Sequence, residues 1–193
     1  APNPYYTGAV AEECMQTIFI PTIRAMKAEG REFRGCLYFG LMLTKNGPKV
    51  IEYNCRFGDP ETQVVLPLLK SDLLTVMQAV TNGTLQDTPV EFSQESACCV
   101  VVASKGYPLQ YEKGVKIGLP HTGPNEAIFV AGAVRRGEEL FSSGGRVLGC
   151  TAVADTLEHA VEKAYALVKQ VEFPNGFYRN DIGRRALQAK EEQ

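Results

Sequence analysis

The densest chemistry in the chain lies in residues 50–61, Val-Ile-Glu-Tyr-Asn-Cys-Arg-Phe-Gly-Asp-Pro-Glu, where carboxylate, amide and guanidinium groups follow an apolar strand. Residues 49–55 alternate in the strand manner, so Val50, Glu52 and Asn54 share one face. Glu52 and Asn54 are then neighbours, with Cα atoms roughly 6.5–7 Å apart, and one carboxylate and one amide oxygen can hold a single hard cation. Magnesium suits that pair, because it prefers oxygen donors and takes only one or two side chains when substrate phosphates complete its octahedron. Arg56 follows where the strand gives out, and its guanidinium can grip phosphate or carboxylate oxygens in a bidentate fork. Gly58 lets the chain turn. Asp59, Pro60 and Glu61 read as N-cap, first helical position and first-turn acid of the next helix. An exposed Glu-x-Asn is more often a solvated strand end, and Asp-Pro-Glu is an ordinary helix start, so spacing alone leaves both readings open.

A second group lies further on. Gly144, Gly145 and Arg146 open the run Gly-Gly-Arg-Val-Leu, in which paired glycines free the backbone to approach an anion and the arginine projects from a strand start, an arrangement suited to a 5′-phosphate. The alternative is a hairpin turn followed by a surface arginine. Lys105 in Ser-Lys-Gly-Tyr-Pro and Lys113 before Gly114 are either further ligand contacts or solvated turn lysines.

The elements that must position these groups are legible from periodicity. Residues 9–29 read as a helix ended by Gly30 and kinked or divided at Pro21, because proline in a helix interior removes a hydrogen bond and costs about 3 kcal/mol. Residues 33–44 are nearly all apolar, which suits a strand covered on both faces, and Asn46-Gly47 turns the chain into residues 50–55. The Glu52–Asn54 pair is therefore expected at the far end of a β-hairpin. Residues 62–69 and 72–80 read as helices, divided by Pro67 and re-capped by Asp72. The polar stretch 84–95 is the expected domain boundary, giving units of 1–92 and 93–193. Beyond it, residues 97–103, 128–134 and 146–154 read as strands. Residues 156–171 read as a helix capped by Asp155, with Leu157, Ala160, Val161, Ala164, Val168 and Val171 as its apolar stripe. The expected class is α+β.

Composition narrows the function. A 193-residue chain with a formal net charge of −2 has no basic face for nucleic acid, and no apolar run approaches the ~20 residues of a membrane span. Six cysteines without a Cys-x-x-Cys pair fit reduced thiols of a cytoplasmic protein, and His121 and His159 lie outside any ligand spacing.

The run from Glu52 to Gln63 closely resembles the signature of the phosphoribosylamine-glycine ligase (glycinamide ribonucleotide synthetase) family of the ATP-grasp superfamily. Ser104–Pro108, Gly144–Leu148 and the Tyr-Arg-Asn-Asp-Ile-Gly-Arg-Arg-Ala run from Tyr178 resemble later family segments in the same order. The resemblance implies the C-terminal part of an ATP-grasp domain (1–92) followed by a small α+β substrate-side domain (93–193), and a chain that looks like the C-terminal portion of a longer enzyme, inactive alone. It implies ATP-dependent joining of glycine to phosphoribosylamine through glycyl phosphate, with Mg²⁺ or Mn²⁺ held by Glu52 and Asn54. Arg56 would act on the transferred phosphate or the glycyl carboxylate, and Asp59 and Glu61 on the glycine amine. Arg146, with Gly144, Gly145, Lys105 and Lys113, would hold the ribose phosphate, while Arg179 and Asp181 would form an ion-paired lock between domains. A neighbouring ATP-grasp carboxylase or amidoligase, and a non-catalytic module derived from one, are the competing readings.

Overall fold

The computed structural model describes residues 1–191. The chain forms two compact units, the smaller from residues 3–59 and 69–92, the larger from residues 1–2, 60–68 and 93–193.

In the smaller unit, helix α1 (Gly8–Cys14) runs through a π-helical turn (Met15–Phe19) into α2 (Ile20–Ala28). The wide turn falls just before Pro21, at the start of α2, and absorbs the hydrogen bond that proline cannot make; the expected break is a π-bulge rather than a division into separate helices. Gly30, at φ 71°, ends α2 in the left-handed conformation, with Arg31 N–H donating to Met26 O. Strands β1 (Tyr38–Thr44) and β2 (Gly47–Asn54) pair antiparallel, with Tyr38 opposite Asn54 and Thr44 opposite Gly47. The turn residues are Lys45 and Asn46, and Gly47 follows at φ 79°. The apolar run 33–44 is not a strand covered on both faces: it enters β structure only at Tyr38, and Met42, Leu43, Ile51 and Tyr53 are exposed. Among the described residues this sheet has two strands. Helix α4 (Leu73–Asn82) begins at Asp72, whose Oδ1 accepts from Thr75 N at 2.7 Å and whose carboxyl is held below its ordinary range by that bond, and it ends at left-handed Gly83.

The larger unit is built on β3 (Ser96–Ser104) and β8 (Arg146–Ala154), which pair antiparallel and are flanked by β5 (Glu126–Val130) and β9 (Gly176–Phe177) in the order β5-β8-β3-β9. A three-stranded sheet joins β4 (Lys116–Ile117), β7 (Glu139–Ser142) and β6 (Ala133–Arg136). The expected strand 128–134 is thus divided between two sheets. The break is at Gly132, where a Cβ would stand 2.8 Å from Gly144 Cα and closer still to Arg146 O.

Helix α5 (Leu157–Val168) lays Leu157, Ala160, Val161, Ala164, Leu167 and Val168 against Cys98, Val100, Val102, Leu148, Cys150 and Ala152. Full burial of a side chain such as Leu148 or Leu167 stabilises by about 1.5–3 kcal/mol each. Burial also pushes the Cys98 thiol up to about 11 and the Cys150 thiol to about 12, so both stay protonated and behave as small apolar groups. The N-cap of α5 is Thr156, whose Oγ1 accepts from His159 N at 3.2 Å; Asp155, the expected cap, instead accepts from Thr156 N and pairs with the His159 ring.

The opposite sheet face meets a short helix, α3 (Thr62–Val65), and the 3-10 turn Leu66–Leu68: Leu68 and Val64 pack on Ala97 and Val153. That apolar contact is why residues 60–68 belong to the larger unit. The last described element is α6 (Arg184–Glu191).

Candidate functional site

The donor pair stands on β2 because valine, isoleucine and tyrosine favour a pleated, half-buried backbone there. Its other face carries Tyr53, which meets its cross-strand partner Phe39 edge-on at 5.3 Å between ring centroids; Phe39 in turn lies 4.4 Å from Phe19 of the π-helical turn. Tyr53 Oη also lies 3.5 Å from Thr22 Oγ1. This aromatic stack anchors the hairpin on the helix and leaves Glu52 and Asn54 on the opposite face.

The expectation that they are neighbours holds in detail. Asn54 Nδ2 donates to Glu52 Oε1 at 3.2 Å, with Glu52 exposed and Asn54 half-buried. The donor chemistry fits a hard cation: turning the amide over presents its oxygen beside the carboxylate, and the exposed side leaves room for waters and phosphate oxygens. No cluster of three or more His, Cys, Asp or Glu side chains able to hold a metal is present among the described residues, so the pair could offer a hard cation two ligands, with the rest of the coordination shell coming from elsewhere, as magnesium sites commonly arrange it.

Arg56 lies just past the strand end, exposed, and its Nη1 donates to Phe57 O at 2.8 Å. Asp59 is in the following turn. The helix start is later than the sequence suggests: residues 59–61 form a turn, Glu61 takes the N-cap position without a side-chain cap, and its carbonyl accepts from Val64 and Val65 N–H, both at 3.0 Å. Glu52, Asn54, Arg56 and Asp59 are in the smaller unit, and Glu61 is in the larger.

The second group is brought together within the larger unit. Buried Ser104 donates from Oγ to Gly144 O at 3.0 Å and from its amide to Gly145 O at 2.8 Å, so the end of β3 grips the Gly-Gly turn. The Tyr107 ring occupies the space a Gly145 side chain would take, and Gly144 N–H donates to Gly132 O at 2.9 Å. The glycines thus already have a packing reason, close approach by Tyr107 and Gly132. Tyr107 and Tyr111 face each other at 6.2 Å, and Lys113 Nζ stands 5.8 Å over the Tyr111 ring, a weak cation–π contact. Lys105 is exposed beside this loop, and Arg146 is half-buried at the start of β8, opposite Ala103. Loop 104–114, which carries Lys105 and Lys113, therefore packs on Gly144–Gly145 through Ser104, Tyr107 and Tyr111. Sequence reasoning missed the part of Ser104 and Gly132 in shaping that turn. A glycine between two apolar strands was the only available signal for Gly132, and nothing marks a serine at a strand end.

Arg179 and Asp181 form a bidentate pair with each other, at 2.9 and 2.8 Å, within the larger unit and next to Tyr165, whose hydroxyl donates to Arg179 O at 2.7 Å. The pair is a local brace ahead of α6.

Comparisons with known proteins place this architecture. The chain shares its fold with the biotin carboxylase subunit of pyruvate carboxylase, with a TM-score of 0.61 at 18% identity over 100% of this chain and 46% of that one. Residues 1–62 match the family model for the phosphoribosylglycinamide synthetase ATP-grasp (A) domain, and residues 97–185 that for the C domain. The chain belongs to the phosphoribosylglycinamide synthetase family, as the C-terminal part of an ATP-grasp domain followed by a small α+β domain. Phosphoribosylamine-glycine ligases of Fusobacterium nucleatum and Rhizobium meliloti are 45% and 46% identical to it over 187 and 188 residues. The chain spans 44% of the length of each, while 95% and 97% of this chain is covered. The crystal structure of the Thermotoga maritima phosphoribosylamine-glycine ligase superposes with a TM-score of 0.78 at 38% identity, over 94% of this chain and 44% of that one.

Proposed function

We propose that this chain supplies the metal-holding strand and the C domain of a cytoplasmic ligase that joins glycine to 5-phosphoribosylamine at the expense of ATP, with residues 1–92 and 93–193 as its two functional parts. The observation that carries the reading is the Glu52–Asn54 contact at 3.2 Å on one face of β2, within the stretch similar to the ATP-grasp (A) domain.

In this reaction a glycine carboxylate oxygen attacks the γ-phosphorus of ATP, the bond to the β–γ bridging oxygen breaks, and ADP leaves. The phosphoribosylamine nitrogen then attacks the carbonyl carbon of glycyl phosphate, expels phosphate and loses a proton, giving glycinamide ribonucleotide. Positioning and charge neutralisation dominate such a transfer, and no protein nucleophile is needed. Glu52 and Asn54 would hold Mg²⁺ or Mn²⁺, which when bound would supply charge neutralisation to the phosphate oxygens. The Arg56 guanidinium, free to leave the carbonyl of Phe57, neutralises the transferred group or orients the glycyl carboxylate. Asp59 and Glu61 accept hydrogen bonds from the glycine ammonium. Arg146, helped by Lys105, Lys113 and the Gly144–Gly145 turn, binds the ribose 5′-phosphate.

The test replaces Glu52 or Asn54 with alanine in the ligase. Turnover is expected to fall at least ~100-fold with the fold intact, since each change removes an oxygen ligand. Near wild-type turnover in both variants at limiting Mg²⁺ would retire the reading.

A further inference from the structure

Gly40 is an anomaly in β1. A glycine in a strand interior weakens it, and nothing in the backbone demands one here, since Gly40 is not among the glycines at positive φ. It faces Glu52 across the hairpin, and the register shifts just after it, between Gly40 and Leu41. A Cβ built on Gly40 would stand 2.8 Å from Glu52 Cγ, tighter than real side chains pack, but 3.6 and 3.7 Å from the Glu52 backbone oxygen and nitrogen, which is ordinary contact. The collision is therefore with the Glu52 side chain alone.

We infer that Gly40 is a positioning residue for the Glu52 carboxylate. The Glu52 side chain folds across the bare Cα of Gly40, which brings Oε1 to the 3.2 Å contact with Asn54. Any side chain at position 40 pushes Cγ away and moves one oxygen of the donor pair. The inference rests on the metal reading above, and it adds that the reach of the pair is set from the neighbouring strand. A glycine needed only to let β1 bend at the bulge would act independently of Glu52, and the two roles separate in a double-mutant cycle.

The experiment titrates the ¹⁵N-labelled 193-residue chain with Mn²⁺ and follows paramagnetic broadening of the Asn54 side-chain amide resonance in the wild type, Gly40→Ala, Glu52→Ala and the double variant. Residues that orient a metal ligand typically contribute about 10–100-fold in affinity. The Mn²⁺ concentration for half-broadening is thus expected to rise at least ~10-fold in Gly40→Ala, and Gly40→Ala should add nothing further in the Glu52→Ala background, which has neither the clashing Cγ nor the carboxylate. A shift in Glu52→Ala with none in Gly40→Ala overturns this inference and leaves the metal reading standing; no shift in either retires the metal reading itself. A Gly40→Ala effect of undiminished size in the Glu52→Ala background assigns the glycine to the bulge and also overturns the inference. A measurement independent of any variant's folding is the nuclear Overhauser contact between Gly40 Hα and Glu52 Hγ in the wild type. It is expected to be present, and its absence overturns the proposal.

Discussion

Strands β2 and β8 each carry candidate site residues, and they are built in opposite ways. After half-buried Arg146, every residue of β8 is buried, whereas β2 presents Ile51, Glu52 and Tyr53 in succession to solvent. A strand closed on both faces must choose its side chains for volume and shape, so its chemistry is confined to its first residue, at the mouth of a turn. A strand held by one aromatic stack and one partner strand can give alternate positions to polar groups, and its thin packing leaves little stability to lose when they change. Stability and chemistry should therefore separate between the two strands.

The largest expected effect tests that separation. Leu148→Ala opens a cavity in a fully buried site and should cost about 2–5 kcal/mol in denaturant unfolding of the larger unit. Ile51→Ala, at a residue 62% exposed, should stay within about 0.5 kcal/mol. Comparable losses at the two positions would mean that β2 is packed in solution, and the contrast would fail.

Arg146 tests the boundary case, a functional candidate on the packed strand. A charge-assisted bond to phosphate contributes roughly 1.5–3 kcal/mol, so Arg146→Ala in the ligase should raise KM for phosphoribosylamine about 10- to 150-fold while KM for ATP and glycine barely moves. Lysine should recover only part of the loss, being a point charge in place of a fork. Equal losses for all three substrates would assign Arg146 to the fold.

The same contrast explains what the sequence could and could not reveal. The hairpin, the placing of Glu52 and Asn54 on one face, and the α5 stripe from Leu157 to Val168 follow from alternation and from the 3.6-residue period, which are local, and all are present, although the helix stops at Val168 and leaves the expected Val171 outside it. The exposure of Met42 and Leu43 was not legible, because an apolar run records a preference for cover without saying what supplies it. The cap of α5 slipped from Asp155 to Thr156 because adjacent residues both have capping side chains and only the dihedral angles choose between them. The packing reason for Gly144 and Gly145 lies with Gly132 and Tyr107, at 12 and 38 residues' remove in the chain, and no local pattern encodes such pairings.

A smaller effect of opposite sign is expected at Thr151, whose buried Oγ1 has no hydrogen-bond partner and lines a polar cleft of about 180 Å³ with Glu95, Asn125 and Glu126. An unsatisfied buried polar group costs about 1–3 kcal/mol, and valine has the same shape without the hydroxyl. Thr151→Val should therefore raise the unfolding free energy measured in denaturant by about 1 kcal/mol. A loss instead would show that water or a neighbour satisfies the hydroxyl in solution, and that β8 carries a polar contact its burial conceals.

The smallest effect lies at the exposed start of α5, where the packed unit meets water. His159 Nδ1 and Asp155 Oδ1 are 2.8 Å apart, and their hydrogen bond and mutual charge raise the histidine's pKa and lower the aspartate's. A raised histidine contributes stability that is complete below its unfolded value of about 6.5 and is lost as pH climbs through the folded value. A lowered aspartate contributes stability that is complete above about 3.9 and is lost as pH falls through its folded value. Both contributions are whole only between those limits, roughly pH 4 to 6.5. Melting temperatures of the wild type and His159→Ala, measured from pH 3 to 9, should therefore differ most near pH 5 and converge toward both ends, and raising the salt should shrink the difference because the pair is solvated. A gap that is constant across pH would trace to the helix propensity gained or lost at position 159. A gap rivalling that of Leu148→Ala would mean that charge at the helix start, and not the apolar face beneath it, holds α5 to the sheet.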